Sequence, residues 1–230
     1  MLCRRSAGLQ ACRFSAIETI VPVAIVCLWA TASIAQTRID LAQRLAEGKL
    51  RAVNREVTRL PERSGVHVDA RPGDGVIWLE GTDFNVGTIE VDIRGRDVQG
   101  LSFVGVAFHR KDDKTYEVVY LRPFNFRAED PVRRDHAVQY MVSPDYEWPR
   151  LRKEFPEEFE NPVDQSLVPT DWVRLRVVVE GQRVRIYAGN VNTPTLEVRK
   201  LGQLDGGAIG LWTGNNSEGD FANVTITPAK

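Results

Sequence analysis

Two carboxylates with a spacing suited to acid–base chemistry, Glu90 and Asp92, lie in the segment Thr88–Arg94. Apolar and charged residues alternate there, which predicts a strand with both acids on one face and Cβ atoms about 7 Å apart. That separation suits a carboxylate pair acting on a glycosidic bond. Acids in this pattern are also typical of a strand face that pairs with arginines. We therefore predict a candidate catalytic pair and keep the ion-paired strand face as the alternative.

A second set of candidate residues combines aromatic rings with hydrogen-bonding groups between Tyr116 and Phe159, which contain nine of the nineteen aromatic residues. The segment begins as a strand that Pro123 ends, so loops above a strand framework would carry a site for a polar ligand. The predicted ligand-binding residues are Tyr116, Tyr120, Arg122, Asn125, Gln139, Tyr140 and Trp148. The alternative is that the tyrosines belong to the core with hydrogen-bonded hydroxyls, and that Arg122 pairs with a carboxylate.

The remaining polar residues give weaker signals. His67, His109 and His136 are not spaced with another metal ligand, so we predict no metal site and no cofactor. Calcium is the one ion left open, because residues 215–220 are rich in oxygen donors, although a turn explains them equally simply. His136 lies in the polar loop and is a candidate base. The sequence lacks a Gly-x-Ser-x-Gly elbow, a phosphate loop and a dinucleotide fingerprint, which argues against nucleotide and flavin chemistry.

Residues 1–35 have the pattern of a signal peptide. Arg4 and Arg5 begin a basic leader, an apolar run follows from Ile20 to Trp29, and Ala35 ends a small-residue cleavage site. The run is shorter than the roughly 20 residues of a membrane span, and an uncleaved anchor is the alternative. All three cysteines lie in this leader, so the mature chain would carry no disulfide and no cysteine nucleophile. We predict an exported protein, periplasmic or extracellular, without a membrane span after cleavage.

The elements that must position these residues form one predicted domain. Residues 36–49 are predicted to contain a short helix over 37–47, and residues 50–230 a β domain. Short strands separated by turn residues are typical of an antiparallel sandwich or barrel. The candidate strands are 50–59, 66–70, 75–80, 87–94, 101–109, 115–122, 137–142, 171–180, 182–188, 195–199, 207–212 and 221–227. The long region 123–170, broken by prolines, is predicted to be functional.

Three strands carry further positional information. Residues 101–108 are apolar on both faces and are predicted to be central in a sheet. Arg174 and Arg176 alternate with apolar residues and are predicted to face acids on a neighbouring strand. Glu117 belongs to the face opposite Tyr116 and Tyr120, so it cannot line the same groove as the tyrosines.

The strand pattern as a whole resembles the concanavalin A-like lectin/glucanase superfamily, and in particular laminin-G-like jelly rolls and bacterial domains similar to 3-keto-disaccharide hydrolases. The segments that carry the resemblance are Gly87–Ile93, Val104–Phe108, Tyr116–Tyr120, Trp172–Val177, Gly207–Trp212 and Phe221–Ile226. The resemblance implies an all-β fold, a two-sheet antiparallel jelly-roll sandwich in which sugars often bind to the concave sheet. Laminarinase-type enzymes of this superfamily carry a third acid after the equivalents of Glu90 and Asp92. Here Arg94 and Gly95 follow instead, so the proton donor is missing.

The leading functional prediction is a secreted carbohydrate-binding domain with a groove between one sheet and the 123–165 loops. Tyr120, Tyr140 and Trp148 would stack on an oligosaccharide or polysaccharide. Two alternatives stay open: a sugar-cleaving enzyme that uses Glu90 or Asp92, with Glu117 or His136, and a structural or protein-interaction domain. The formal net charge of −1 argues against nucleic acid as a partner.

Overall fold

The computed structural model describes residues 36–229, and every structural statement below refers to that part of the chain. The predicted signal peptide, residues 1–35, lies outside the described residues, so its cleavage stays a prediction. Among residues 36–229, no helix is both long and apolar enough to cross a membrane.

Two antiparallel sheets form a sandwich, which confirms the predicted fold class. Sheet 1 has eight strands, numbered in chain order: β1 (Thr37–Ile39), β3 (Val57–Arg59), β4 (Val66–Val68), β6 (Gly87–Arg94), β11 (Val173–Glu180), β12 (Arg183–Ala188), β13 (Leu196–Arg199) and β15 (Gly219–Pro228). Their order across the sheet is β13-β12-β11-β6-β15-β4-β3, and β1 pairs with the second half of β15.

Sheet 2 has seven strands in the order β10-β9-β8-β7-β14-β5-β2. They are β2 (Leu50–Val53), β5 (Gly75–Leu79), β7 (Val104–Phe108), β8 (Tyr116–Leu121), β9 (Val138–Ser143), β10 (Glu160–Asn161) and β14 (Gly210–Thr213). The apolar strand β7 is the fourth of the seven, so its predicted central position is confirmed. Three short helices complete the fold: α1 (Leu41–Ala46), α2 (Pro131–Asp135) and α3 (Trp148–Glu154).

The two sheets enclose one hydrophobic core, and they differ in what covers their other faces. In sheet 1, strands β6 and β11 alternate buried and half-buried residues, so the face turned away from sheet 2 reaches solvent. In sheet 2, every residue of β5, β7, β8, β9 and β14 is buried. A sheet buried on both faces needs a second covering layer, and the segment after Pro123 supplies it.

A buried polar cluster lies on the inner side of sheet 2. Glu117 occupies its centre: His109 Nδ1 lies 2.8 Å from Oε1, the Tyr140 hydroxyl donates to Oε2 at 2.7 Å, and Lys200 Nζ lies 3.2 Å from Oε1. Lys200 Nζ also donates to the Leu204 carbonyl at 2.6 Å. Glu117 therefore lies on the face predicted for it, where an ammonium and two hydrogen-bonding groups compensate its charge.

Two predicted elements differ from the structure. The predicted strand 50–59 is divided, because Asn54 takes a positive φ of 52° and the chain passes from sheet 2 into sheet 1. The predicted helix over 37–47 is limited to α1. Residues 37–39 form β1 instead, since Ile39 is buried and the backbone pairs with β15. Asp40 then caps the helix by accepting from the Gln43 amide at 2.9 Å.

Removing the central carboxylate of the buried cluster should destabilise the fold strongly. We expect Glu117→Gln to lower the free energy of unfolding by about 3 kcal/mol, because the buried Lys200 ammonium loses its closer carboxylate and keeps only the longer contact to the exposed Asp205, at 3.5 Å. The matched control is Glu197→Gln, which breaks an exposed pair with Arg183 (3.1 Å) and should cost about 1 kcal/mol or less. Urea denaturation of both variants measures the difference. Equal losses would contradict the role assigned to the cluster.

Candidate functional site

The candidate site lies on the face of sheet 2 turned away from sheet 1, which we call the outer face. Tyr120 and Trp212 project from this face, with ring centroids 4.9 Å apart. They meet because Gly105 lies between them on β7, in register with both. A Cβ at Gly105 would lie 2.6 Å from the Tyr120 Cβ, far closer than atomic contact allows. A side chain at this glycine would therefore disrupt the aromatic floor.

A segment that folds back over the outer face forms one wall. Val142 and Tyr146 exchange backbone hydrogen bonds at 2.8 and 3.1 Å, which turns the chain back over the sheet. Helix α3 follows and begins with Trp148, whose side chain is 47% exposed. An exposed tryptophan beside a concave surface is typical of a ligand contact rather than of a core residue.

Two adjacent pockets lie beneath this wall, and we call them together the groove. The acidic pocket, about 150 Å³, is lined by Asp74, Phe103, Tyr120, Met141, Glu147, Trp148, Trp212, Gly214 and Asn215. The basic pocket, about 410 Å³, is lined by Gln99, Gly100, Phe103, Arg122, Phe124, Asn125, Arg133, His136, Trp148, Arg152 and Asn215. The pockets share Phe103, Trp148 and Asn215, so a ligand of two or more units can occupy both.

The acidic pocket brings together two carboxylates that the sequence separates by more than seventy positions. Burial of the Asp74 carboxyl raises its pKa, the negative charge of Glu147 raises it further, and Arg55 partly offsets both effects. Asp74 is exposed as a whole residue and lines the pocket. A carboxyl with a raised pKa beside a second carboxyl is an arrangement that can hold and transfer a proton.

Arg55 fixes the loops that carry the acidic pocket. This buried guanidinium donates to the carbonyls of Gly73, Thr213 and Gly214 at 2.7, 3.0 and 2.7 Å. The Asn215 side chain adds a cross-link, since its Oδ1 accepts from the Gly73 amide at 2.7 Å. The loop after β4 and the loop after β14 are thus held together where they reach the pocket.

The basic pocket is organised around Glu160, a buried carboxylate on β10. Arg152 donates to it through two nitrogens at 2.8 and 2.9 Å, and His136 Nδ1 lies 2.9 Å from it. Arg122 Nη1 approaches it at 3.4 Å. This one carboxylate therefore contacts three side chains, from the residue that follows β8, from α3 and from the turn after α2.

Arg122 is held from the opposite side by the floor of the groove. It donates to the Tyr120 hydroxyl at 2.6 Å, to the His136 carbonyl at 2.7 Å and to the Gln139 side-chain oxygen. Burial lowers the pKa of Arg122 and raises the pKa of Tyr120 to about 12. A guanidinium with this many partners is rigid, and it presents a fixed positive charge beneath the pocket.

His136 is kept neutral by its surroundings. Burial lowers its pKa most strongly, and the charges of Arg152 and Arg122 lower it further, although Glu160 and Asp135 raise it. The imidazole is therefore uncharged at pH 7 and adds no positive charge of its own. Its pKa will respond to any charge that enters the pocket.

The structure brings together four of the seven predicted ligand-binding residues. Tyr120, Arg122, Asn125 and Trp148 line the groove. Gln139 lies immediately behind it and accepts hydrogen bonds from the Tyr120 hydroxyl and from Arg122. The binding roles themselves stay predictions.

The other two predicted residues lie outside the groove. Tyr116 is buried against Trp78, with ring centroids 5.4 Å apart. Tyr140 points to the inner side of sheet 2, where it bonds Glu117. Because successive strand residues point to opposite faces, Gln139 and Tyr140 cannot both face the groove. The predicted three-ring stack with Tyr120 and Trp148 therefore lacks Tyr140.

The predicted catalytic pair lies on the other sheet. Arg174 contacts both acids, Glu90 Oε2 at 3.3 Å and Asp92 Oδ1 at 3.0 Å. Thr225 and Asn223 donate to the same two carboxylates at 3.0 and 2.7 Å. Both acids thus have partners on the outer side of sheet 1, away from the groove, as the alternative of an ion-paired strand face expects. Asp92 lines a separate open pocket of about 300 Å³ with Arg63, Trp172 and Arg174, and Glu90 does not line it. Their catalytic role stays a prediction.

The oxygen-rich segment 215–220 is engaged in protein contacts. Asp220 pairs with Arg94 at 2.7 Å and with His67 at 2.7 Å, and Asn215 bonds the Gly73 amide. In the part of the chain that the structure describes, no three His, Cys, Asp or Glu side chains are grouped so that they could hold a metal ion.

Comparison with solved structures places the fold. A carbohydrate-binding module, CBM66 from Bacillus subtilis, is similar with a TM-score of 0.55 and 18% identity, over 78% of this chain and 96% of that one. A native glycosidic hydrolase is similar with a TM-score of 0.56 and 9% identity, over 87% of this chain and 99% of that one. The exoplasmic/lumenal domain of VIP36, in a Ca2+/Man-bound form, has a TM-score of 0.55 and 12% identity, over 79% of this chain and 83% of that one. At these identities the likeness establishes the fold alone, which is the concanavalin A-like β-sandwich that the resemblance implied.

No protein-family model matches the sequence, and no curated protein matches it either. The groove must therefore be interpreted from its own residues.

The raised pKa of Asp74 predicts a pH-dependent stability. The pKa of Asp74 is higher in the folded state than its usual value of 3.8 in an unfolded chain. Ionisation of this carboxyl at neutral pH therefore lowers the free energy of unfolding. We expect Asp74→Asn to raise the melting temperature at pH 7. The gain should shrink as the pH falls from about 7 to about 4, where wild-type Asp74 takes up its proton. Thermal unfolding followed by circular dichroism across this range measures the gain.

Glu147→Gln is the matched variant for the same carboxyl. It removes the neighbouring charge but leaves the burial, so the Asp74 titration midpoint followed by NMR should move down and stay above the usual value. An Asp74 that titrates identically in wild type and Glu147→Gln would show that the two carboxyls do not share a pocket.

Proposed function

We propose that this protein binds carbohydrate in the groove on the outer face of sheet 2. The observation that carries the proposal is Trp148, an exposed ring that forms a wall of both pockets above a floor of buried aromatic and polar groups. A sugar ring offers apolar C–H faces and a rim of hydroxyls. The groove offers aromatic surfaces for the C–H faces, and amide, guanidinium and carboxylate groups for the hydroxyls.

The distribution of exposed hydrophobic side chains supports this location. Leu101, Val132 and Trp148 are three of the four large hydrophobic residues exposed in residues 36–229. Trp148 lines the groove, and Leu101 and Val132 directly adjoin the lining residues Gly100 and Arg133. Exposed apolar residues close in the chain to a polar concavity support a binding site there.

The similar structures support the proposal at the level of fold. CBM66 is described as a carbohydrate-binding module, and the VIP36 domain as bound to Ca2+ and Man. Fold alone does not determine function, so the weight of the proposal lies on the groove.

Removal of the exposed ring should weaken binding without damage to the fold. We expect Trp148→Ala to weaken oligosaccharide binding by at least roughly tenfold, because the stacking surface is lost. Trp172→Ala is the matched control. The Trp172 ring lies beside sheet 1, with its centroid 4.7 Å from Arg63 Cζ and 4.8 Å from Arg94 Cζ. Its loss should leave the affinity for the oligosaccharide unchanged. Isothermal titration calorimetry against a panel of neutral and acidic oligosaccharides measures both. Absence of binding across the panel would favour the structural or protein-interaction alternative.

A second candidate function, sugar cleavage, is favoured by the carboxyl pair of the acidic pocket. Burial, and after it the charge of Glu147, raises the pKa of Asp74, and a glycosidase needs one carboxyl that holds a proton and one that is ionised. In this reading Asp74 protonates the glycosidic oxygen, and Glu147 acts as base or nucleophile.

The two carboxylate pairs of the chain make opposite predictions for turnover. If Asp74 and Glu147 cleave the bound sugar, Asp74→Asn and Glu147→Gln should each slow product formation by roughly 100-fold or more. Glu90→Gln and Asp92→Asn should then leave the rate unchanged, because their carboxylates lie on the other sheet. The reverse pattern would restore the pair first predicted from the sequence. Chromatographic analysis of the products from each bound oligosaccharide decides between the two pairs. If wild type forms no product from any oligosaccharide, the protein binds sugar without cleaving it.

A further inference from the structure

The groove carries opposite charges at its two ends. Three guanidinium groups line the basic pocket, those of Arg122, Arg133 and Arg152, and none of the described residues that line it carries a carboxylate. Glu160, behind the lining, is the one acid paired with this cluster. One carboxylate against three guanidinium groups leaves an excess of positive charge, and the groups of opposite sign lie in the acidic pocket.

The three arginines are not equivalent. Arg122 and Arg152 are tied to Glu160, and Arg152 also lies under the Trp148 ring at 4.9 Å. Arg133 donates to the Phe124 carbonyl at 3.1 Å and, over a longer 3.4 Å, to Asn125 Oδ1, and no carboxylate pairs with it among the described residues. Its guanidinium therefore retains donors for a ligand while its neighbours hold the surrounding field.

We propose that the basic pocket binds the anionic group of an acidic sugar unit, a carboxylate or a sulfate ester, while the acidic pocket takes a neutral unit beside it. This inference rests on the proposed function and specifies its ligand class. The planar fork of Arg133 matches the two oxygens of such a group. Phe103 and Trp148, which both pockets share, provide the aromatic surface for the sugar rings.

The acidic pocket determines the orientation of the ligand. Asp74 and Glu147 repel a second anionic group at their end of the groove, since like charges at close range are unfavourable. A polymer that is charged at every unit is therefore a poorer ligand than one in which acidic and neutral units alternate. The formal net charge of −1 for the whole chain also argues against a general attraction for polyanions.

His136 reports on occupancy of the pocket. The groups around it are Glu160 and Asp135, which raise its pKa, and Arg152 and Arg122, which lower it. An anion bound at Arg133 adds negative charge, so the pKa of His136 should rise on binding. A neutral ligand has no charge to produce this effect.

The test uses the full chain and three matched oligosaccharides: one of alternating uronic acid and neutral units, the same one with its carboxyls reduced to alcohols, and a sulfated analogue. Calorimetry gives affinities at two salt concentrations, and NMR gives the titration of His136. The variant is Arg133→Gln, which breaks no ion pair. The control is Arg134→Gln, from the next position on α2, because Arg134 contacts only the carbonyls of Ala128 and Glu129 and does not line the groove.

We expect the acidic oligosaccharide to bind at least roughly tenfold more tightly than its reduced form, equivalent to about 1.4 kcal/mol. Arg133→Gln should remove most of that preference, Arg134→Gln should keep it, and the pKa of His136 should rise only with the acidic ligand. Tighter binding of the uronate than of the sulfated analogue identifies the carboxylate as the anion, and the reverse identifies the sulfate ester.

The failures of the two proposals are distinguishable. Equal affinities for the acidic and reduced oligosaccharides would overturn this inference and leave carbohydrate binding intact. An acidic preference that Arg133→Gln leaves unchanged, or that Arg134→Gln removes equally, would overturn it as well, because it would show a diffuse charge effect. If none of the three oligosaccharides binds, the proposed function itself is overturned.

Discussion

The burial of sheet 2 on both faces is the constraint on which the groove depends. All four strands β7, β8, β9 and β14 carry apolar side chains toward sheet 1, and Tyr120, Met141 and Trp212 of β8, β9 and β14 make the opposite side apolar as well. Exposure of that second apolar face would be unfavourable, so the chain between Pro123 and residue 165 must cover it. The cover leaves a cavity beside Tyr120 and Trp212, which are themselves only 1% and 3% exposed, and the groove is the gap that remains. The hydrophobic effect thus produces both the layer and the site at its edge.

Two buried charged groups hold the edges of that gap, and they belong to different parts of the fold. Arg55 joins the loops of the acidic pocket through backbone carbonyls. Glu160 joins the arginines and His136 of the basic pocket. Each buried charge is compensated by several partners, as the low-dielectric interior requires. Rigid edges of this kind reduce the entropy lost when a ligand binds.

Alternation along the strands allowed much of the fold to be predicted from the sequence. The pairing of Arg174 with Glu90 and Asp92 follows from the two-residue period of β6 and β11, as does the placement of Glu117 opposite Tyr120. Because of the same period, the neighbouring residues Gln139 and Tyr140 lie on opposite faces of sheet 2. Local pattern thus determines which face a side chain occupies.

Other parts of the site have no local signal. Asp74 lies in an ordinary turn, and Trp212 and Asn215 come more than fifty positions after the aromatic segment. They reach the groove only because β14 pairs with β5 and β7. Arg133 and Arg152 belong to short helices within the region predicted as loops, and their charge excess is visible only once Glu160 is identified as their common partner. Long-range strand pairing, which the sequence does not encode locally, assembles these residues.

The division of the groove between two supports has a consequence for specificity. The acidic pocket combines Asp74 from a loop of the sandwich with Glu147 from the covering segment, whereas two of the three arginines of the basic pocket, Arg133 and Arg152, belong to the covering segment. Changes in the cover can therefore alter the charge of one pocket without disturbing the sheets beneath. In this chain the recognition of an anionic unit would come from the cover, and the aromatic floor would come from the sheet.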